Sequence, residues 1–178
     1  PYLLESVALY EEGIPPVVID KVATDFGMPM GPVELADTVG LDVCKAAAQG
    51  LGERVPKIVD ALISAGHLGK KSGQGFYKYK NGRPIKNKAD FNQQGSKDMA
   101  DRMVMRMINE SVACLREGIV SDTDLLDAGM IFGTGFAPFR GGPMQYVSDE
   151  EVKNIRERLD ALAMRYGERF VADEGWAA

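Results

Sequence analysis

One histidine, one tryptophan and two cysteines are all that this sequence of 178 residues holds of those types. His67 with Cys44 and Cys114 leaves too few soft ligands for zinc, and neither cysteine lies in a CxxC, so no metal site is expected. The same scarcity argues against a disulfide framework and reads as reduced thiols in a cytoplasmic protein. No apolar run approaches the ~18 residues of a membrane-spanning helix. The N-terminus has no basic stretch followed by an apolar one, so no signal peptide is expected. No GxGxxG follows a strand-like run, which excludes a dinucleotide fold within these residues and leaves no cofactor-binding residues to name. GHLGKKSG, Gly66 to Gly73, has the flavour of a phosphate loop, but only two residues separate Gly66 from Gly69 and no strand leads in. His67 reads as a surface-loop residue after a helix-ending glycine.

Acid is missing from one stretch. Between residues 70 and 88 stand seven bases, Lys70, Lys71, Lys78, Lys80, Arg83, Lys86 and Lys88, and no Asp or Glu. Removing those seven from the net charge of −5 leaves −12 on the rest. An acidic chain of this kind disfavours general nucleic-acid binding. Its basic segment reads either as a solvated loop or as a place to meet an anionic group. Otherwise the composition, 45% hydrophobic and 26% charged, is that of an ordinary globular domain. The chain opens PYLLES without a Met, which reads as part of a longer polypeptide.

The periodicity is helical. Leu3, Val7 and Tyr10 share a face, ended by Glu11, Glu12 and Gly13. Pro15 and Pro16 open a second helix, in which Ile19, Val22, Ala23 and Phe26 follow the i, i+3, i+4, i+7 rule. The loop FGMPMGP stops it, Pro32 starts PVELADTV, and Val55, Ile58, Val59 and Leu62 mark a further helix closed by Gly66. Glu34 and Asp37 are read as solvent-facing. At Leu68 the character changes: FYKYK is strand-like, Asn81-Gly82 signals a tight turn, and Pro84 limits a partner strand to a short arm. The polar stretch to Ser96 reads as a linker. From Asp98, Val104, Ile108, Val112 and Leu115 form a stripe, with Met99, Met103, Met105 and Met107 as packing surface. Ser121 with Asp124, and Ser148 with Glu151, resemble capping boxes. The tail after Phe170 reads as loose.

The chain repeats itself. ESVALYEEGI (Glu5–Ile14) and ESVACLREGI (Glu110–Ile119) share seven of ten residues, and with one inserted residue Phe26-Gly27 falls on Phe132-Gly133 and Pro32 on Pro138. One such unit cannot bury its own apolar face, so a pseudo-two-fold pair is expected. The predicted fold is all-α: a duplicated helical module with a short β-hairpin-like insert, divided as 1–95 and 96–178.

FGMPMGPVELADTVGLDV followed by HLGKKSGQGFYKY resembles the C-terminal region of L-3-hydroxyacyl-CoA dehydrogenases, and most of all the alpha subunit of fatty-acid oxidation complexes, which carries this helical module twice. The resemblance covers roughly Pro1 to Val147. It implies an oxidoreductase of fatty-acid β-oxidation with NAD as the parent enzyme's cofactor. The catalytic His and its Glu lie in an upstream Rossmann domain, and a substrate-contacting Asn in a VNR motif just before the family's equivalent of PYLLE. The chain begins at PYLLE, so no catalytic residue and no NAD site is expected within it, and it is expected not to act alone. The resemblance further implies an acyl-CoA substrate, Rossmann and hydratase domains in the same protein, and a thiolase partner. Met28, Pro29, Met30, Gly31 and Pro32 become candidates for the wall of the acyl cleft. Phe132 stands where the alpha subunit has a substrate-contacting Tyr, so only an apolar contact is expected there. Lys70 and Lys71 become candidate contacts for the phosphates of CoA. The alternative is a helical oligomerisation domain of another two-domain dehydrogenase, such as those acting on 6-phosphogluconate or 3-hydroxyisobutyrate; the KSGxGFY hairpin weighs against it.

Overall fold

In the computed structural model, which describes residues 1–87, 89 and 96–177, the chain is helical but for one two-stranded hairpin. It forms two compact units. Leu3–Thr24 with Met30–Gln94 make the hairpin unit; Pro1–Tyr2, Asp25–Pro29 and Gly95–Ala178 make the long-helix unit. The linker expected before Ser96 falls mainly on residues 88 and 90–95, outside the described residues.

The hairpin unit holds α1 (Tyr2–Glu11), α2 (Pro16–Phe26), α3 (Pro32–Val39), α4 (Leu41–Gly50) and α5 (Lys57–Ser64), except that Tyr2 of α1 and Asp25 and Phe26 of α2 belong to the other unit. Val7, Ala36, Leu41 and Val59 form its core cluster, with Cys44, Val55, Ile58, Leu62, Ile63 and Phe76 packed against it. The proline-opened helices appear where expected. The helix α4 was not: the sequence marks Cys44 as helix-like but carries too little of an apolar stripe to bound a helix. It starts one residue after α3 ends, because Gly40 takes φ 104° and turns the chain within a single residue. Of the strand-like run FYKYK, β1 (Tyr79–Lys80) pairs antiparallel with β2 (Arg83–Pro84), and Lys78 forms an isolated antiparallel bridge with Gln74. The connection is Asn81-Gly82, both at positive φ (52° and 74°), the conformation a two-residue hairpin turn demands.

The long-helix unit packs α6 (Ser96–Arg116), α7 (Thr123–Thr134), α8 (Pro143–Glu150) and α9 (Val152–Tyr166) with short 3₁₀ turns. The methionines of α6 belong to its interior: Met103 and Met105 are fully buried and Met99 and Met107 nearly so. Both expected capping boxes are corrected. Asp122, not Ser121, caps α7 by accepting from the Leu125 amide at 2.9 Å, and Ser121 donates to Asp122. Ser148 lies inside α8, a helix that the sequence pattern did not reveal. Glu151, at φ 68°, is the hinge residue between α8 and α9 and makes no side-chain cap. The tail is not loose either. The Trp176 indole donates to Asn109 at 2.8 Å, Arg116 pairs with Asp173, and Phe170 and Trp176 are buried.

The two copies of the duplicated segment end their first helices identically. Ile14 N donates to Leu9 O (3.1 Å) around Gly13 at φ 91°, and Ile119 N donates to Cys114 O (3.0 Å) around Gly118 at φ 68°. This is the glycine-terminated helix cap, which is why EGI stands in both copies.

Candidate functional site

In the hairpin unit, α2 carries Asp20 in the middle of its apolar face, beside Ile19, Val22 and Ala23. A buried carboxylate must be satisfied. Its Oδ1 accepts from the Val33 amide (2.8 Å) and its Oδ2 from the Glu34 amide (3.2 Å), the free N–H groups of the first turn of α3. Pro32 occupies the first helical position, where its missing N–H costs nothing. Gly31 precedes it because a Cβ there would fall on the Asp20 carboxyl.

The long-helix unit repeats the device. Asp127 of α7 accepts from the amides of Met144 (2.7 Å) and Gln145 (2.9 Å) at the start of α8. Pro143 stands first in that helix, and a Cβ on Gly142 would fall on the Asp127 carboxyl. The structural equivalent of Pro32 is thus Pro143, not Pro138 as sequence register suggests. FGTGFAPFRGGP is longer than FGMPMGP, and Pro138 opens a 3₁₀ turn within that extra length.

The hairpin hangs on a second aspartate. Asp37, at the C-terminal end of α3, is fully buried, against the expectation that it faces solvent. It accepts from the amides of Phe76 (2.9 Å) and Tyr77 (2.8 Å) and from the Tyr79 hydroxyl (3.2 Å). The Tyr77 hydroxyl reaches Asp20 at 2.8 Å, so both carboxylates hold the same strand. Gly75 and Gly69 lie so close to Asp37 that a side chain on either would strike its carboxyl or its backbone. These contacts account for two of the three glycines of LGKKSGQGFY; the third, Gly73, has open space around it and stands at φ 78°, closing the 3₁₀ turn of residues 70–72. In the second copy the residue five places after the helix-opening proline is Ser148, not Asp, and no hairpin follows it among the described residues.

Burial raises the carboxyls of Asp20 and Asp37 above the ordinary 3.8, against the opposing pull of the hydrogen bonds that they accept. Burial, followed by the neighbouring carboxylates, likewise pushes the hydroxyls of Tyr77 and Tyr79 far up, so both remain donors. Because the folded pKa values of the two aspartates lie above the unfolded one, the folded chain holds protons that the unfolded chain has released. Their contribution is full below pH 3.8 and is lost as pH rises through the folded values. Urea midpoints compared between wild type and Asp37→Asn are therefore expected to converge as pH rises from the unfolded value, as the proton-linked share of the wild type's stability disappears. A constant gap across that range would refute the assignment for Asp37.

The other candidates divide between the units. Met28 and Pro29 belong to the long-helix unit, where Met28 is buried and Pro29, itself exposed, lies against Gly135. Phe132 of that unit is 89% exposed. Phe139 packs on Gly27, and the Arg140 guanidinium lies 4.2 Å from the centre of the Phe26 ring while donating to the Phe26 carbonyl at 2.9 Å. In the hairpin unit Met30 is exposed, whereas Gly31 and Pro32 are buried in the Asp20 clasp. Lys71 is committed to Asp42 at 2.6 Å, and Lys86 to Glu34 at 2.6 Å. Asp20 and Asp37, neither of them a sequence candidate, are the buried carboxylates that organise this unit. The available signal was an aspartate inside an apolar helical stripe, followed by Gly-Pro about three turns on.

Among the described residues no group of three or more His, Cys, Asp or Glu side chains could hold a metal, and no helix is long and apolar enough to cross a membrane. A cleft of about 720 Å³ in the hairpin unit is lined by Tyr10, Glu11, Ile14, Pro15, Lys57 and Ile58, none of them a sequence candidate.

Residues 1–79, which include both aspartate clasps of the hairpin unit and the KSGQGFY turn, match the sequence family described as 3-hydroxyacyl-CoA dehydrogenase, C-terminal domain. Those residues belong to that family. Across nearly its whole length the chain is similar to a longer protein. It is 35% identical over 189 residues to the fatty acid oxidation complex subunit alpha of Vibrio vulnificus, covering 98% of this chain and 27% of that protein. It is 39% identical over 189 residues to the subunit of the same name from a Shewanella species, covering 95% and 27%. The chain thus spans about a quarter of the length of these relatives. Among solved structures, the dehydrogenase part of multifunctional enzyme 1 from C. elegans superposes with a TM-score of 0.77 at 27% identity, covering 99% of this chain and 45% of that one. The 3-hydroxybutyryl-CoA dehydrogenase of Escherichia coli shares the fold at a TM-score of 0.74 and 20% identity, covering 99% and 56%.

Proposed function

We propose that this chain is the helical part of an NAD-dependent L-3-hydroxyacyl-CoA dehydrogenase of fatty-acid oxidation, the part that closes over the acyl-CoA and makes the contact between copies or pseudo-copies of the module. The observation that carries this reading is the family match over residues 1–79, in a segment whose two buried aspartates explain its Gly-Pro loop and Gly-rich hairpin together. The relatives are subunits of a complex and of much greater length, which supports further domains in the same protein and a partner subunit; that this partner is a thiolase rests on the family resemblance. In this reading the cofactor half of the enzyme supplies NAD and the catalytic base. On this chain the exposed Met30 of the hairpin unit is proposed as apolar surface for an acyl group, and the exposed Phe132 of the long-helix unit, taken by itself, as an apolar contact of the second copy. Met28, Gly31 and Pro32 act from beneath, by fixing the backbone.

The test is reconstitution. Fused behind the cofactor-binding half of a family dehydrogenase, the chain is expected to give NADH formation with an L-3-hydroxyacyl-CoA, while the 178 residues alone give none. A soluble, folded fusion that binds NAD but never turns over any 3-hydroxyacyl-CoA refutes the proposal.

A further inference from the structure

The basic segment is not uniform. Lys71 and Lys86 are paired with Asp42 and Glu34, whose carboxylates offset their charge locally. Lys70, Lys80 and Arg83 have no carboxylate partner among the described residues, and all three are exposed. Their placement is specific. Lys80 and Arg83 stand directly opposite each other in the two-residue ladder, so two cations share one face of the hairpin. Like charges in directly opposed strand positions repel and weaken a hairpin. The third cation joins them at the turn: Lys70 Cε comes within 3.7 Å of the position that a Cβ on Gly82 would take.

This trio is held in place from behind. Tyr77 and Tyr79, on the opposite face of the strand, are fastened to Asp20 and Asp37, so the hairpin presents its cations on a fixed backbone. Three cations on a fixed backbone, with no carboxylate partner among the described residues, suit a small, multiply charged anion. A phosphomonoester carries between one and two negative charges near neutral pH and offers three acceptor oxygens. An extended polyanion is disfavoured by the −12 carried outside the basic segment.

We infer that the hairpin tip, Lys70 with Lys80 and Arg83, is a phosphate-ester site that takes the phosphorylated end of CoA, with Lys71 outside it. The inference rests on the acyl-CoA reading above and sharpens it, because it moves the phosphate contact from the Lys70–Lys71 pair to the cross-strand pair.

Calorimetric titration of the 178-residue chain with CoA, dephospho-CoA and pantetheine tests it. Affinity is expected to fall in that order and to weaken with added salt. K80Q/R83Q is expected to lose roughly tenfold in affinity for CoA, the effect of removing two charge-assisted contacts at an exposed site. K71Q is expected to bind as wild type does. Equal binding of CoA by wild type and K80Q/R83Q, or wild-type binding of CoA no tighter than of pantetheine, would overturn the proposal. Capture by phosphatidylglycerol vesicles without any affinity for CoA would assign the phosphoester to a lipid surface and overturn it equally. In the reconstituted fusion, K80Q/R83Q should raise KM for the CoA thioester and leave KM for the pantetheine thioester unchanged. Turnover without any phosphate dependence removes this site alone, whereas phosphate-dependent binding without turnover removes the dehydrogenase reading alone.

Discussion

Asp37→Ala is expected to lower the stability of the hairpin unit by about 3–5 kcal/mol. The reason is arithmetic of partners. Asp37 is fully buried and accepts from two backbone amides and one hydroxyl, all on the segment Phe76–Tyr79. Truncation leaves the amides of Phe76 and Tyr77 without an acceptor in a dry site, and a buried unmatched donor costs ~1–3 kcal/mol. Tyr79 is half-buried and can turn to water, so it adds less. Asp37→Asn keeps the volume but aims an amide NH₂ at one of the donors, so an intermediate loss is expected. Asp42→Ala is the control: its only side-chain partner among the described residues is the exposed Lys71, and surface pairs of that kind contribute little. The measurement is a urea midpoint by circular dichroism, joined to hydrogen exchange of the Phe76 and Tyr77 amides. Trp176 fluorescence is the wrong probe, because that residue sits in the other unit. If Asp37→Ala and Asp42→Ala unfold at the same midpoint, the carboxylate does not hold the hairpin.

The sequence disclosed the helices wherever an apolar stripe, a proline or a helix-ending glycine marked them. Thus α1 to α3, α5 and α6 are where the pattern of Val7, Val22, Pro32, Val59 and Ile108 puts them. The tight turn at Asn81-Gly82 was equally legible, because few other dipeptides accept two positive φ values. The short helices α4 and α8 were not, and for a shared reason. Each starts within one residue of a glycine with φ above 100°, so no loop of several polar residues announces it. The site was half legible. Its glycines and prolines stood out, but the residues that need them are aspartates far along the chain, and a spacing rule cannot say that a charge points inward. Asp37 looks like a surface residue at i+3 from Glu34 until the hairpin, nearly forty residues on, arrives to satisfy it. Similarly, sequence register paired Pro32 with Pro138. Only the hydrogen bonds that Asp127 accepts from the amides of α8 show that Pro143 holds the matching place.

That duplicated clasp gives the second large prediction, and its two copies control each other. Gly142→Ala is expected to destabilise the long-helix unit by about 3–5 kcal/mol, and Gly31→Ala the hairpin unit by about 2–3 kcal/mol. Both substitutions drive a methyl group into a buried aspartate, Asp127 or Asp20, that cannot withdraw without dropping two backbone amides. Only Gly142 adds a backbone penalty: its φ is 111°, which L-residues avoid, whereas Gly31 sits at −68°, open to any residue. Gly133→Ala, within α7 and with open space around it, is expected to be neutral or to stabilise by up to ~1 kcal/mol. The mechanism is also testable through non-additivity. With Asp127→Gly in place the atoms that the methyl would strike, Cβ included, are gone and the φ penalty remains. The double variant should therefore lose less than the two single variants combined, a coupling that chemical denaturation of the four proteins measures directly. Strict additivity would mean that Gly142 is required by its backbone conformation alone. The Gly-Pro of this unit would then owe nothing to Asp127, and the likeness of the two clasps would be one of sequence without a common physical cause.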